Sequence, residues 1–279
     1  MKYQRVAFVG GGNMTRAIVA GMLAGNYEAG KILIAEPLAE QRDALALDLP
    51  GVVVGADNKD VVASAEIVVL AVKPQVLATV CQQLASTIQA TNALIISIAA
   101  GIRGVDIDGW LGGGLAVVRV MPNQPALLRK GISGIFGNEK TTQSQLAAAR
   151  NIMSAVGAVV QVPTEADIDV VTALSGSGPA YFYLLIDMLA KTGQELGLDE
   201  NVARTLAIET ARGAAALAAS SDATMETLIA RVRSPGGTTA AALDSLESQG
   251  VRDIFNTALT AARDRAQDLA STTHQTSQD

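Results

Sequence analysis

The stretch RVAFVGGGNMTRAI, residues 5–18, decides the fold class of this chain. It starts as a short apolar run, typical of a strand buried in a parallel sheet, and continues as a helix. Between the two, Gly10 permits a tight turn, and Gly12 lets the backbone approach a pyrophosphate at the helix N-terminus. Thr15 occupies the third position of this fingerprint, where Gly or Ala would be usual. The stretch predicts dinucleotide binding, and the alternative is a plain strand-to-helix turn.

Further short apolar runs alternate with helical stretches through the first half of the chain. They cover residues 32–36, 51–55, 66–73, 93–99 and 115–121, and a further strand pair is expected at 131–137 and 158–162. This alternation predicts an α/β fold with an N-terminal Rossmann-like doubly wound sheet. After Pro163, strand-like runs are nearly absent. We therefore expect a dinucleotide-binding domain over residues 1–163 and an all-α domain over residues 164–279, whose apolar helices favour dimerisation.

Composition excludes several classes of function. The 279 residues are 49% hydrophobic and 17% charged, which is typical of a globular chain. A net charge of −6 without any basic run argues against a nucleic-acid partner. Cys81 is the single cysteine, so no intrachain disulfide is expected, and the single histidine, His274, lies in the polar C-terminal stretch. A histidine-rich metal site and a Ser-His-Asp triad are therefore not expected in the body of the chain.

No stretch of the sequence predicts a membrane span. The most apolar run, residues 93–102, is far shorter than the about 20 residues that a spanning helix needs. The chain begins directly with a strand-like run, which does not resemble a signal peptide. We expect a soluble cytoplasmic protein.

Two charged residues follow predicted strands at the edge where such sheets bind ligands. Glu36 ends the second strand, where an acidic residue usually binds the ribose hydroxyls of NAD, and the alternative is a solvated glutamate before Pro37. Arg42, one helical turn further on, could instead meet the 2′-phosphate of NADP. Lys73 ends the fourth strand, and its alternative interpretation is a surface lysine at a turn.

The stretch RSPGGTT, residues 233–239, interrupts the helical half of the chain. Pro and Gly are the two poorest helix formers, so the break must end one helix before the next begins. The residues from Gly236 to Thr239 are expected at the N-terminus of that next helix, where exposed N–H groups can bind a carboxylate. The alternative is a cap between two helices with no ligand.

Six motifs, in this order, resemble those of the pyrroline-5-carboxylate reductase family: VGGGNM, LAVKPQ, SIAAGI, RVMPNQPALL, TALSGSGPAYF and RSPGGTT. The resemblance covers nearly the whole chain, and its last two motifs are the specific ones. Gln124 departs from it, since the family usually has Thr there, and so does Thr15, where Ala is frequent. The resemblance implies NAD(P)H-dependent reduction of 1-pyrroline-5-carboxylate to L-proline, the last step of proline biosynthesis. It also implies a homodimer, which could assemble into a larger ring.

The same resemblance implies site residues. The cofactor, NADPH or NADH, is expected at Gly10, Gly12, Asn13, Met14, Asn58, Ala71, Val72, Lys73, Ala99, Ala100, Met121, Pro122 and Asn123, together with Glu36. The substrate is expected at Glu165 and Ser177, and at a loop of the neighbouring subunit that contains Ser234, Gly237, Thr238 and Thr239. Thr239 is the candidate catalytic residue, because its hydroxyl could donate a proton to the ring nitrogen. Alternatively the substrate binds already protonated, with Glu165 favouring the cation, and no metal is expected.

Two other functions are compatible with a nucleotide domain followed by helices. A 3-hydroxyacid dehydrogenase would need a catalytic lysine shortly after the turn at Ser177, but the first lysine there is Lys191, well down the helix. A redox sensor would bind the nucleotide without a substrate-dependent reaction. Oxidation of NAD(P)H in the presence of pyrroline-5-carboxylate distinguishes these alternatives.

Overall fold

The structure is a computed structural model that describes residues 4–275, with side chains described for residues 4–270. It divides into two compact units. The first comprises residues 4–177 together with the described residues from 262 onward, and the second comprises Gly178–Ala261. This division by contacts falls after Ser177, and the domain limits at residue 163 stay a prediction.

The first unit contains one sheet of eight strands. They are β1 (Val6–Val9), β2 (Ile32–Ala35), β3 (Val53–Gly55), β4 (Ile67–Leu70), β5 (Leu94–Ser97), β6 (Val117–Met121), β7 (Gly131–Gly137) and β8 (Gly157–Gln161). Their order is β3-β2-β1-β4-β5-β6-β7-β8. The first six strands are parallel, β7 is antiparallel to β6, and β8 is parallel to β7. The predicted Rossmann-like doubly wound sheet is confirmed, and every apolar run expected to be a strand contains one.

Helices cover both faces of this sheet. They are α1 (Asn13–Ala24), α2 (Ala39–Asp48), α3 (Asn58–Val62), α4 (Pro74–Thr91), α5 (Gly104–Trp110), α6 (Gln143–Ser154) and α7 (Asp167–Val171), with short 3₁₀ helices at Ala29–Lys31 and Gln124–Leu128. Local sequence explains their starts: Asp57 caps α3, Pro74 occupies the first turn of α4, and Thr142 and Gln145 form a capping box on α6. A π-helical segment, Thr172–Gly176, follows α7.

Two hydrophobic cores lie on the two faces of the sheet. One joins Val6 and Phe8 of β1 to side chains of α1, α2 and α6, and the other joins Ala7 and Val9 to side chains of α3, α4 and α5. All four β1 residues are fully buried. Burial on both faces explains why the strands read as continuous apolar runs rather than as alternating ones.

The second unit is helical, as predicted. It contains α8 (Gly178–Glu195), α9 (Glu200–Ala219), α10 (Met225–Val232), α11 (Thr238–Ser248) and the first part of α12 (Val251–Gln275). Helices α8 and α9 pack closely, since a Cβ on Gly193 would lie 3.2 Å from the Cβ of Ala203. Many large apolar side chains remain exposed, including Phe182, Leu184, Met188, Leu206, Leu217 and Val232. No helix in the described part of the chain has the length and hydropathy needed to cross a membrane.

Candidate active site

The turn between β1 and α1 places two glycines in different environments. Gly10 has a φ of +106°, and a Cβ there would lie 2.8 Å from the carbonyl oxygen of Ala71. Gly12 is the N-cap of α1 with an extended backbone, and a Cβ there would meet no atom within 4 Å. Gly10 is therefore required by the close approach of β1 to the end of β4. Gly12 instead leaves open space at the helix N-terminus, and this space suits an anion such as a pyrophosphate.

Thr15 has a structural role that explains its place in the fingerprint. Its side chain is buried, and its hydroxyl donates a hydrogen bond of 2.7 Å to the carbonyl oxygen of Gly10. This bond closes the turn over the first helical residues. The departure at Thr15 is therefore compatible with a formed glycine turn.

The carboxyl ends of the parallel strands form one edge of the sheet. The strand order reverses between β1 and β4, which is the switch point where doubly wound sheets bind their ligands. The residues predicted to bind the cofactor end or follow the strands, at β1 (Gly10, Gly12, Asn13, Met14), β2 (Glu36), β3 (Asn58), β4 (Ala71, Val72, Lys73), β5 (Ala99, Ala100) and β6 (Met121, Pro122, Asn123). The fold thus brings them to the same edge. Their contacts with a cofactor stay a prediction.

The Glu36 side chain bonds to the glycine turn. Its Oε2 accepts the N–H of Gly11 at 3.1 Å, and its Oε1 accepts the N–H of Leu38 at 3.1 Å. Arg42 donates from Nη1 to the carbonyl oxygens of Glu36, at 3.0 Å, and Pro37, at 2.7 Å. The loop after β2 is thereby fixed beside the turn between β1 and α1.

Asn123 joins the end of β6 to the segment that leads to Ser177. Its Nδ2 donates to the carbonyl oxygen of Ser175 at 3.1 Å, and its Oδ1 accepts the N–H of Ile132 at 2.9 Å. Within the π-helical segment, the N–H of Ser177 donates to the carbonyl oxygen of Thr172 at 2.8 Å. Such π-helical turns recur at functional sites. Asn123 therefore fixes the predicted nicotinamide segment relative to the predicted substrate turn.

An ion-pair cluster connects α5, β6 and the segment before α8. Oε1 of Glu165 lies 3.0 Å from Nη1 of Arg119 and accepts the N–H of Gly104 at 2.6 Å. A second pair joins Arg103 to the buried Asp169 at 2.8 Å. Burial lowers the pKa of the Arg119 guanidinium below its ordinary value, and the charge of Glu165 opposes this shift. In this arrangement the Glu165 carboxylate links β6 to the start of α5.

In the second unit, residues 233–239 connect α10 to α11 as expected. Gly236 has a φ of +69°, Gly237 is the N-cap of α11, and the N–H of Gly237 donates to the carbonyl oxygen of Ser234 at 3.0 Å. Arg233 forms an exposed ion pair with Asp244 at 2.5 Å. The prediction that residues 236–239 lie at a helix N-terminus is confirmed, since α11 begins at Thr238.

Comparison with known proteins identifies the family. Residues 165–269 match a family model described as pyrroline-5-carboxylate reductase dimerisation, and residues 5–101 match one described as NADP oxidoreductase, coenzyme F420-dependent. A pyrroline-5-carboxylate reductase of Pseudomonas aeruginosa is 43% identical over 97% of this chain and 98% of its own. The chain belongs to the pyrroline-5-carboxylate reductase family. The resemblance found in its six motifs is thereby confirmed.

Solved structures of pyrroline-5-carboxylate reductases share the fold over nearly the whole chain. A pyrroline-5-carboxylate reductase from Coxiella burnetii is 39% identical, with a TM-score of 0.92, over 96% of this chain and 99% of its own. A pyrroline carboxylate reductase from Plasmodium falciparum, with NADP bound, is 26% identical with a TM-score of 0.84, over 96% of this chain and 99% of its own. The fold described above is therefore that of the family along its full length.

The residues predicted for the substrate fall in both units. Glu165 and Ser177 belong to the first unit, while Ser234, Gly237, Thr238 and Thr239 belong to the second. The contact of each with a substrate stays a prediction. Within the described residues, no cluster of three or more His, Cys, Asp or Glu side chains could hold a metal ion.

The sequence did not indicate the partner of Glu165 or the ion pair beside it. Arg119, which pairs with Glu165, and the pair of Arg103 and Asp169 were not among the candidate residues, although an arginine inside the apolar run of β6 is the kind of signal that indicates a buried ion pair. The bridging role of the Asn123 side chain was also missed. No local pattern announces it, because its partners lie in distant segments of the chain.

Proposed function

We propose that this chain reduces 1-pyrroline-5-carboxylate to L-proline with NAD(P)H. The observation that carries the proposal is the 43% identity to a pyrroline-5-carboxylate reductase along 97% of the chain. The glycine turn supports it, since the open space at Gly12 accommodates a pyrophosphate at the N-terminus of α1. Use of NAD(P)H is common to the family, whose Plasmodium member was solved with NADP bound.

The nicotinamide, when bound, supplies the hydride that adds to the imine carbon, which becomes C5 of proline, and the ring nitrogen gains a proton. The chain's own residues bind and orient the reactants. The first N–H groups of α1 bind the pyrophosphate, and the edge after β4, β5 and β6 holds the ribose and nicotinamide. Asn123 keeps the segment after β6 at a fixed distance from the turn at Ser177.

The substrate carboxylate is held by the N-terminus of α11. The N–H groups of its first turn have no helical partners, and the extended N-cap at Gly237 exposes them. The loop is contributed by the neighbouring subunit, as the family resemblance implies. Ser234 and the hydroxyls of Thr238 and Thr239 offer further hydrogen bonds to the substrate.

The proton comes from the Thr239 hydroxyl in one version of the mechanism and from solution in the other. In the second version the imine binds already protonated and Glu165 favours the cation. Replacing Thr239 with Val, and with Ser as the control that keeps a hydroxyl, separates the two. If Thr239 donates the proton, T239V lowers kcat and changes the pH dependence of turnover, while T239S keeps both as in the wild type. An unchanged rate in T239V rules out the hydroxyl as the proton donor.

The active form is a homodimer that pairs the helical units of two chains. The exposed apolar side chains of α8 support this, since Phe182, Leu184 and Met188 are each about half exposed or more in the single chain. The match of residues 165–269 to a dimerisation model supports it as well. Light scattering should give the mass of two chains, or an even multiple if dimers assemble into a ring, and a monomeric mass contradicts the proposal. The cytoplasmic location stays a prediction.

A direct assay tests the activity. In one assay, purified protein is mixed with NADH or NADPH, and absorbance is followed after addition of pyrroline-5-carboxylate. In a second assay, the protein is mixed with the oxidised cofactors and a 3-hydroxy acid. The proposal predicts turnover in the first assay and none in the second. Binding of the cofactor without any imine-dependent oxidation contradicts it and favours a sensor.

A further inference from the structure

Two side chains of opposite charge lie beyond the carboxyl end of β2, where a Rossmann-like sheet binds the adenosine ribose. Glu36 directly follows the strand, and Arg42 lies in the first turn of α2. An acidic side chain at this point binds the ribose hydroxyls of NADH, whereas a basic one accommodates the 2′-phosphate of NADPH. The contacts of these two residues therefore bear on the choice between the two cofactors.

Both carboxylate oxygens of Glu36 are bonded to main-chain N–H groups. Oε2 accepts from Gly11, in the glycine turn itself, and Oε1 accepts from Leu38, each at 3.1 Å. A Cβ on Gly11 would lie 3.3 Å from the Cβ of Glu36, so the side chain and the turn are in direct packing contact. Turning the carboxylate away would break two hydrogen bonds to a charged acceptor. Glu36 is therefore expected to keep its place when a dinucleotide binds.

The Arg42 guanidinium points toward the loop backbone. Its Nη1 donates to the carbonyl oxygens of both Glu36 and Pro37, at 3.0 and 2.7 Å. These bonds stabilise the loop that carries Glu36. A phosphate bound by Nη1 of Arg42 would have to displace these contacts, which hold the competing carboxylate in position.

We propose that Glu36 is the specificity-determining residue of the cofactor site and that it makes the chain prefer NADH to NADPH. The proposal rests on the proposed function, because it needs the dinucleotide at the glycine turn. A 2′-phosphate would lie beside a carboxylate that is bonded in place, and like charges brought together weaken binding. The ribose hydroxyls of NADH donate to that carboxylate instead. The expected preference in Kd is about tenfold or more.

Isothermal titration calorimetry of the full chain measures this preference without any turnover. The ligands are NADH and NADPH, together with ADP and 2′,5′-ADP, which probe the adenosine end alone. The wild type should bind NADH and ADP more tightly than their phosphorylated counterparts. Glu36→Gln keeps the size of the side chain and removes its charge, so it should reduce the discrimination about tenfold.

Two control variants bracket the effect. Glu40→Gln removes an exposed carboxylate from the first turn of α2 and should leave the ratio of the two Kd values unchanged. Arg42→Ala loosens the loop after β2 and should weaken both dinucleotides alike. A selective loss of NADPH binding in Arg42→Ala would make Arg42 the phosphate partner and overturn the proposal.

The remaining outcomes separate the two proposals. Tighter binding of NADPH by the wild type, or an unchanged ratio in Glu36→Gln, overturns the role of Glu36 and leaves the reductase function standing. Failure of the wild type to bind either dinucleotide overturns both. The ratio of the two Kd values in the wild type needs no variant, so it tests the role of Glu36 even if Glu36→Gln does not fold. Glu36→Asp provides a second substitution, which keeps the charge.

Discussion

Replacing Gly12 with alanine is expected to weaken cofactor binding while leaving the apo fold nearly unchanged. The added methyl group would meet no protein atom within 4 Å, and the backbone of Gly12 is extended, so no strain is introduced. The loss of glycine at the N-cap costs about 0.5–1 kcal/mol. The methyl group would instead occupy the space at the N-terminus of α1 where we propose that the pyrophosphate binds. We expect Kd for the dinucleotide to rise about tenfold or more, which corresponds to about 1.4 kcal/mol.

Gly10 provides the opposite case two residues away. At a φ of +106°, an alanine is strained, and its Cβ would lie 2.8 Å from the carbonyl oxygen of Ala71. The backbone conformation alone costs about 1–3 kcal/mol. Gly10→Ala should therefore lower the melting temperature of the apo protein clearly, at about 2–4 °C per kcal/mol.

The assay combines thermal unfolding of the apo protein with calorimetric titration of NADH and NADPH. Gly30→Ala is a matched control, because a Cβ there also meets no atom within 4 Å but lies in the short helix before β2. It should bind like the wild type. If Gly12→Ala also bound the dinucleotides like the wild type, the proposal that the pyrophosphate binds beside Gly12 at the N-terminus of α1 would be wrong.

Three further predictions concern the first unit. Arg119→Met removes the buried partner of Glu165 and should destabilise the apo protein by about 3 kcal/mol. In thermal unfolding, the double variant that also carries Glu165→Gln should recover part of this loss. Thr15→Val keeps the shape but loses the bond to Gly10, so it should cost about 1–2 kcal/mol, whereas Thr15→Ser should cost less; equal losses would contradict the role of the hydroxyl. Burial raises the pKa of the Cys81 thiol from 9.0 to about 12, so a thiol reagent at neutral pH should react only after unfolding. The contribution of the neutral Cys81 thiol to the free energy of unfolding is complete below the unfolded-state pKa of 9.0 and is lost as pH rises toward about 12. The free energy of unfolding of Cys81→Ala should therefore decline less steeply over that pH range than that of the wild type.

Most of the sheet could be predicted because its strands are buried on both faces. Runs such as residues 66–73 are apolar throughout and are separated by helical stretches, which leaves few alternatives to a parallel sheet. The first six strands are shorter than the runs that contain them. The run 66–73 contains β4, Ile67–Leu70, and its last three residues lie beyond the strand at the carboxyl edge of the sheet. The same edge explains why small and charged residues collect at the strand ends.

The side-chain pairings could not be predicted, because they join positions far apart in the chain. Arg103 and Asp169 are 66 residues apart, and Arg119 and Glu165 are 46 apart. The candidate role of Glu165 came from a family resemblance, which says nothing of the arginine that binds it. The π-helical segment before Ser177 could not be predicted from the sequence either, because it depends on the hydrogen bonds that Asn123 and Thr172 make.

The proposed reduction of the imine by NAD(P)H is tested most directly by following the transferred hydride. The purified wild-type protein is incubated with pyrroline-5-carboxylate and with NADH or NADPH deuterated at both C4 positions, and the product is analysed by chiral separation and mass spectrometry. We expect L-proline carrying a single deuterium at C5, formed in proportion to the cofactor oxidised. Cofactor that binds but is not oxidised, or oxidation that leaves no deuterium in proline, would contradict it.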